Sequence, residues 1–185
     1  MVEYRPARPS DAEAVALLHT RSWRENYRGS LTDAFLDGEL PEERIRVWNE
    51  RLANPLENQF VQVAVDGAKL VGFVCAYAAH SPRWGSFIDN LHVANASKRS
   101  GIGSSLMRQA GAWLADQHPD MGVYLWVLEV NSPARGFYES LGADNGGVSV
   151  METHGRAMVR SCRYTWPRAL QLSASSVGPR WEGSP

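Results

Sequence analysis

Between residues 91 and 106 the chain runs Leu91-His92-Val93 and then, after a short gap, Lys98-Arg99-Ser100-Gly101-Ile102-Gly103-Ser104-Ser105-Leu106. The apolar residues at 91–93 read as the end of a strand. Ile102, Leu106, Ala110 and Trp113 recur at three- and four-residue spacing, the stripe of a helix. A basic, glycine-containing loop therefore leads straight into a helix's first turn. The N–H groups of that turn have no partner within the helix and carry partial positive charge, and glycine lets a backbone meet an anion with no Cβ in the way. The chemistry this favours is phosphate binding, with Lys98 and Arg99 adding formal charge. Two other phosphate loops are excluded: Leu106 stands where Gly-x-Gly-x-x-Gly needs its third glycine, and no Gly-Lys-Ser/Thr follows. Taken alone, the segment also has a plainer reading, a glycine turn before an ordinary helix.

A second block follows at Asn131-Ser132-Pro133-Ala134-Arg135-Gly136-Phe137-Tyr138-Glu139-Ser140-Leu141-Gly142. Read by itself, Tyr138 is a core aromatic beside Phe137, and Asn131 is a turn or capping residue. Together the blocks resemble the GNAT (GCN5-related) N-acetyltransferases. In that family the pyrophosphate loop reads Gln/Arg-x-x-Gly-x-Gly/Ala, matched here by Lys98-x-x-Gly101-x-Gly103 with Lys in the first place. The second signature, Asn-x-x-Ala-x-x-Phe-Tyr-x-x-x-Gly, is met at every defined position. The likeness covers about residues 2 to 166 and is strongest from Phe87 to Gly142.

The resemblance implies acetyl-CoA as co-substrate and a splayed pair of strands, Phe87–Val93 and Val123–Leu128, with the pantetheine arm in the gap. Backbone groups of Leu91, His92 and Val93 would pair with that arm, and the Val93 N–H would polarise the thioester carbonyl. Lys98, Arg99, Ser100, Gly101, Ile102, Gly103, Ser104 and Ser105 would hold the pyrophosphate. Asn131 would hold the pantetheine arm, and Tyr138 would give a proton to the leaving thiolate. Ser22-Trp23-Arg24 with Tyr27-Arg28-Gly29 is similar to a subgroup acting on small amines, which places Trp23, Arg24 and Tyr27 near the acceptor; Trp84 is a further pocket candidate.

The general base is open between Asp89 and His92, the titratable side chains nearest the expected thioester. Strand alternation puts them on opposite faces unless a bulge intervenes. Each has a bland counterpart, a surface carboxylate and a satisfied sheet histidine. The resemblance implies a Glu at the place of Trp126 in many acetyltransferases of protein N-termini, so the indole weighs against that alternative; a lysine acetyltransferase is a further one. A non-catalytic acyl-CoA sensor is the rival from another class, and the retained Tyr138 weighs against it. Cys75 lies mid-strand and apart from both blocks, so direct attack by a primary amine in a ternary complex is expected.

These residues need a scaffold, and its signals run along the whole chain. Val2 to Arg5 reads as a strand; Ser10-Asp11-Ala12-Glu13 is a capping box opening a helix with stripe Ala14, Val15, Leu18 and Ser22. Pro41 opens a second helix with Ile45, Trp48 and Leu52 buried, stopped at Asn54-Pro55. Phe60 to Val65 and Lys69 to Ala79 form a hairpin about Asp66-Gly67. Ser132 and Pro133 start a helix that Gly142 ends, and strands near 148–152 and 157–166 finish the domain. The fold class is α/β, with a mixed, mostly antiparallel sheet of about seven strands, splayed in the middle, and helices on both faces. One acetyltransferase domain is expected over 1–167, with a flexible tail over 168–185 where Ser, Gly and Pro accumulate.

Composition agrees with such an enzyme. The 185 residues carry 19 basic and 20 acidic side chains without a long single-sign run, so no nucleic-acid surface is suggested and a small-molecule amine fits better. No stretch reads as a membrane helix or signal peptide, and the two distant cysteines read as reduced and buried, so a cytoplasmic protein is expected. The histidines show no metal-site spacing, and no metal is expected. A homodimer is expected by family analogy alone.

Overall fold

The computed structural model describes residues 1–152 and 157–174. Seven strands form one sheet: β1 (Val2–Pro6), β2 (Gln59–Asp66), β3 (Lys69–Ser81), β4 (Gly85–Val93), β5 (Val123–Leu128), β6 (Asp144–Glu152) and β7 (Met158–Trp166), in the order β1-β2-β3-β4-β5-β7-β6. All neighbours are antiparallel except β4 and β5, which run parallel. Helices α1 (Ala12–Asn26) and α2 (Leu40–Ala53) lie on one face, α3 (Ile102–Gln117) on the other; α4 (Ser132–Ser140) follows β5, and α5 (Ala169–Ala174) follows β7. Among the described residues no helix is long and apolar enough to cross a membrane.

Strand alternation divides the core in two. Val74, Ala76, Ile88, Leu125 and Val127 pack with Ile102, Leu106, Met107, Ala110 and Leu114 of α3. Phe73 and Cys75 turn the other way, onto Val15, Ala16 and Leu18 of α1 and Trp48 and Leu52 of α2. Gly72 makes close packing of α3 possible, since a Cβ there would lie 3.1 Å from both Ile102 Cγ2 and Leu106 Cδ1. A third cluster joins Trp23 of α1, Leu31, Phe35 and Leu36 of the α1–α2 connection and Leu40 of α2 to Leu128 and Val159. That connection includes a π-helical stretch, Phe35–Glu39.

The elements fall close to the sequence expectations, with two physical differences. The expected Ser10–Glu13 capping box does not form: Asp11 accepts the Arg8 N–H at 2.7 Å and takes both terminal nitrogens of the Arg5 guanidinium at 2.7 and 2.8 Å. An ion pair with β1 replaces the local cap. The domain also continues past residue 167, since α5 buries Ala169 and Leu172 against α3. The fit rests on Gly111, where a Cβ would meet Ser173 N at 2.8 Å and Leu172 Cγ at 2.9 Å. The remainder of the expected tail, 175–185, lies outside the described residues.

Candidate functional site

β4 and β5 pair only through Ser86–Val123 and Phe87–Tyr124. Their closed end is pinned where Ser86 N–H donates to the Gly122 carbonyl at 2.9 Å. Gly85, at φ 88°, approaches so closely that a Cβ would sit 2.2 Å from that same oxygen. Beyond Phe87 and Tyr124 the strands part while each keeps its outer partner, β3 or β7. Ala94 N–H donates to Val71 O at 2.9 Å. Antiparallel alternation then turns the N–H and C=O groups of Leu91 and Val93 away from β3 and toward the gap. The gap therefore offers an extended ligand a strand edge to pair with.

The mouth of the gap is the N-terminus of α3. Lys98 is extended, Arg99 has φ 63° and Gly101 φ 83°, a left-handed conformation that glycine adopts without a Cβ penalty. Nothing lies within 4 Å of the Cβ position of Gly101. Gly103 is more enclosed: a Cβ would touch the Phe137 ring at 3.4 Å and Val93 Cγ2 at 3.7 Å, so the first turn of α3, the end of β4 and α4 converge there. The N–H groups of that turn are free of intrahelical partners. Lys98, Arg99 and Ser100 are exposed, and Ser100 Oγ donates to Ser97 O at 2.6 Å.

Asn131 caps α4, its carboxamide oxygen accepting the Ala134 N–H at 3.2 Å. That leaves its amide nitrogen as the group free to donate elsewhere. Tyr138 packs edge-on against Phe137 at 5.3 Å. Burial pushes its phenol well above the ordinary range, with Tyr27 adding to the rise, so it holds its proton at neutral pH. Tyr27 itself is pushed up to about 12, by burial first and by the Asp89 charge second. Tyr27, Tyr138 and Asp89 are thus near enough for their charges to be felt in turn.

A bulge sets where the two base candidates lie. Pairing passes from Ala76–Ile88 to Cys75–Asn90, which leaves Asp89 as an extra residue in β4. The bulge puts Asp89 and His92 on the same face, the α1–α2 side. Asp89 accepts a 2.6 Å hydrogen bond from Arg51 of α2. His92 sits 2.7 Å from Ser22 Oγ through Nδ1 and packs against His19 and Phe73. Desolvation, then the charges of Arg44 and Lys98, hold His92 down to about 3. A ring held this low is neutral near pH 7. Beside Asp89, Asn90 Oδ1 is buried without a partner.

The acceptor-side candidates separate. Tyr27 lies at this centre. Trp23 is 8% exposed, stacked on Tyr27 at 4.8 Å with the Arg44 guanidinium 5.0 Å from its ring centre. Arg24 donates to Leu36 O at 2.9 Å and pairs with Asp37, tying α1 to the π-helical stretch. Trp84 meets Trp126 edge-on at 5.8 Å and Tyr124 at 5.4 Å. It also borders a cleft of about 540 Å³ with Pro82, Met121 and Pro167 at the closed end of the strands. Sequence reasoning missed Arg51, Asn90, Tyr124, His80 and Arg163. Tyr124 stacks on Phe87 at 4.9 Å at the apex of the gap and shares a 2.7 Å hydrogen bond with His80 Nδ1. Only pairings between distant segments assemble this group, so no local motif announces it. Cys75 is fully buried with its thiol pushed up to about 12, chiefly by burial, and is no nucleophile.

A strand pair open on a helix N-terminus, beside a high-pKa tyrosine, is the arrangement of an acyl-CoA-dependent transferase. Residues 16–143 match the sequence profile of the acetyltransferase (GNAT) family, and the chain belongs to that family of acetyl-CoA-dependent N-acetyltransferases. It is 33% identical over 142 residues to a probable N-acetyltransferase of Mycobacterium tuberculosis, covering 75% of this chain and 77% of that one. Among solved structures it resembles a GCN5-related N-acetyltransferase of Rhodopseudomonas palustris, with TM-score 0.70, 15% identity and coverage of 88% and 93%. It also resembles the PaiA N-acetyltransferase of Thermoplasma acidophilum, solved in complex with coenzyme A, with TM-score 0.63, 18% identity and coverage of 87% and 98%.

Proposed function

We propose that this chain transfers the acetyl group of acetyl-CoA to the primary amine of a small molecule, by direct attack in a ternary complex. The observation that carries the reading is the parting of β4 and β5 beyond Phe87 and Tyr124, with the first turn of α3 at its mouth. The pyrophosphate takes the backbone from Lys98 to Ser105, where the free N–H groups and the helix dipole favour an anion. The pantetheine arm pairs with the inward groups of Leu91 and Val93, and the Asn131 amide nitrogen holds it from the other side. The Val93 N–H supports the oxyanion that develops on the thioester.

The amine reaches the thioester from the α1–α2 face. Asp89, placed there by the bulge and oriented by Arg51, takes the amine's proton through water; the unpartnered Asn90 Oδ1 accepts a hydrogen bond from the same amine. The nitrogen forms its bond to the carbonyl carbon, the C–S bond breaks, and Tyr138 protonates the departing thiolate. Positioning two reactants in one crevice supplies much of the rate enhancement. His92 takes no proton and instead fixes α1 to β4 through Ser22. Coenzyme A release measured over a panel of small amines, with acetyl-CoA binding followed by calorimetry, tests the reading. Turnover on at least one amine supports it. Tight acetyl-CoA binding without turnover on any amine, peptides included, would make the chain a sensor instead.

A further inference from the structure

Arg163 of β7 is paired in register with Trp126 of β5, so the two side chains leave the sheet on one face. Leu128, two residues beyond Trp126, packs against Trp23 and Leu31. This is therefore the α1–α2 face, which also carries Asp89. The Arg163 guanidinium lies 4.5 Å from the Trp84 ring centre and 5.9 Å from that of Trp126. One of its nitrogens donates to Gly146 O at 2.9 Å; Nε is buried and has no partner. The half-buried Arg5, Arg24 and Arg51 are ion-paired with Asp11, Asp37 and Asp89, and the buried Arg44 with Glu43. Among the described residues Arg163 has none.

A guanidinium between two indoles is stabilised by the ring faces, yet it has given up water without gaining an anion. Its planar fork matches a carboxylate through two parallel hydrogen bonds. A doubly charged phosphate would call for a second free cation, and Arg51 is already committed to Asp89. We infer that Arg163, with Trp84 and Trp126, reads a carboxylate on the acceptor, so that the substrate is an amine that also carries a carboxyl group. Asp89 and Arg163 then address opposite ends of one molecule, its ammonium and its carboxylate. This rests on the transferase reading above for the identity of the amine end.

The test compares free amino acids with their own amides, by coenzyme A release and by calorimetric binding to the protein loaded with coenzyme A. Loss of one charge-assisted bidentate contact corresponds to roughly 10- to 100-fold. The wild type is expected to prefer the acid by that factor in kcat/KM, even though the amide presents more free amine at neutral pH. Arg163→Met, which keeps an apolar stem between the indoles, is expected to treat acid and amide alike while binding acetyl-CoA as before. Turnover without preference in the wild type, or a preference that survives Arg163→Met, overturns the carboxylate assignment and leaves the transferase reading intact. Acid-selective binding without turnover has the reverse meaning. Absence of both binding and turnover for every acid overturns the assignment outright.

Discussion

The two faces of the central gap are built from different materials. On the α3 side the proposed contacts to the pyrophosphate and the adjoining arm are mainly backbone: the left-handed Gly101, the close-fitting Gly103 and the inward amides of Leu91 and Val93. They come from a single stretch of chain, because a strand end, a loop and a helix start are consecutive. On the α1–α2 side the working parts are side chains, and Tyr27, Arg51, His80, Asp89, Tyr124 and Arg163 come from six different elements or their junctions. A backbone site can be specified by short motifs, whereas a side-chain site is specified by register and packing. The first can stay constant while the second is rebuilt for a new acceptor.

The largest effect should follow from disturbing the backbone side. Gly101→Val places a β-branched side chain at φ 83°, in the space offered to the pyrophosphate. Acetyl-CoA affinity should fall by more than ~10²-fold by calorimetry; an unchanged affinity in a folded variant removes the cofactor assignment. Next comes Tyr138→Phe, which should lower kcat by roughly 10² with cofactor affinity intact, because only the departing thiolate uses that proton. A wild-type rate would return Tyr138 to the packing role it has by sequence alone.

The smallest effect sharpens the comparison most. Asp89→Asn should reduce turnover by roughly 10 to 10², whereas His92→Asn should leave the pH profile of kcat/KM unmoved above about pH 4. The histidine should show itself in stability instead. Its folded-state pKa lies near 3, below the ordinary value of about 6.5. The unfolded chain therefore binds its proton first, and the histidine's contribution is whole above about pH 6.5 and is lost as pH falls toward 3. Thermal melts across that window should show a shallower acid decline for His92→Asn. A histidine limb in the activity profile that this variant abolishes would restore His92 as the base.

What was legible in the sequence follows the same division. The loop at 98–105 and the α4 block were read from consecutive residues, the parted strands followed from the family resemblance those blocks carry, and the element order needed only periodicity, caps and glycines. The relation of Asp89 to His92 was not readable, because one extra residue in β4 decides which face each occupies, and nothing in Asp89-Asn90 signals a bulge. For Arg24 and Trp23, helix spacing gives a side chain's direction, while its partner, here the Leu36 carbonyl or the Arg44 cation, is folded back from twelve or more residues away. Arg163 was invisible for the same reason, since its indoles arrive from β5 and from the turn before β4.

The seat of α5 on Gly111 has a practical meaning for anyone handling the protein. A chain cut after Trp166 would keep every strand and every residue of the proposed chemistry, yet it would uncover the back of the helix whose front end meets the cofactor. The six residues of α5 act as a clasp on α3, so truncations and fusion junctions belong after Ala174, and a weakened clasp would announce itself first as poor cofactor retention.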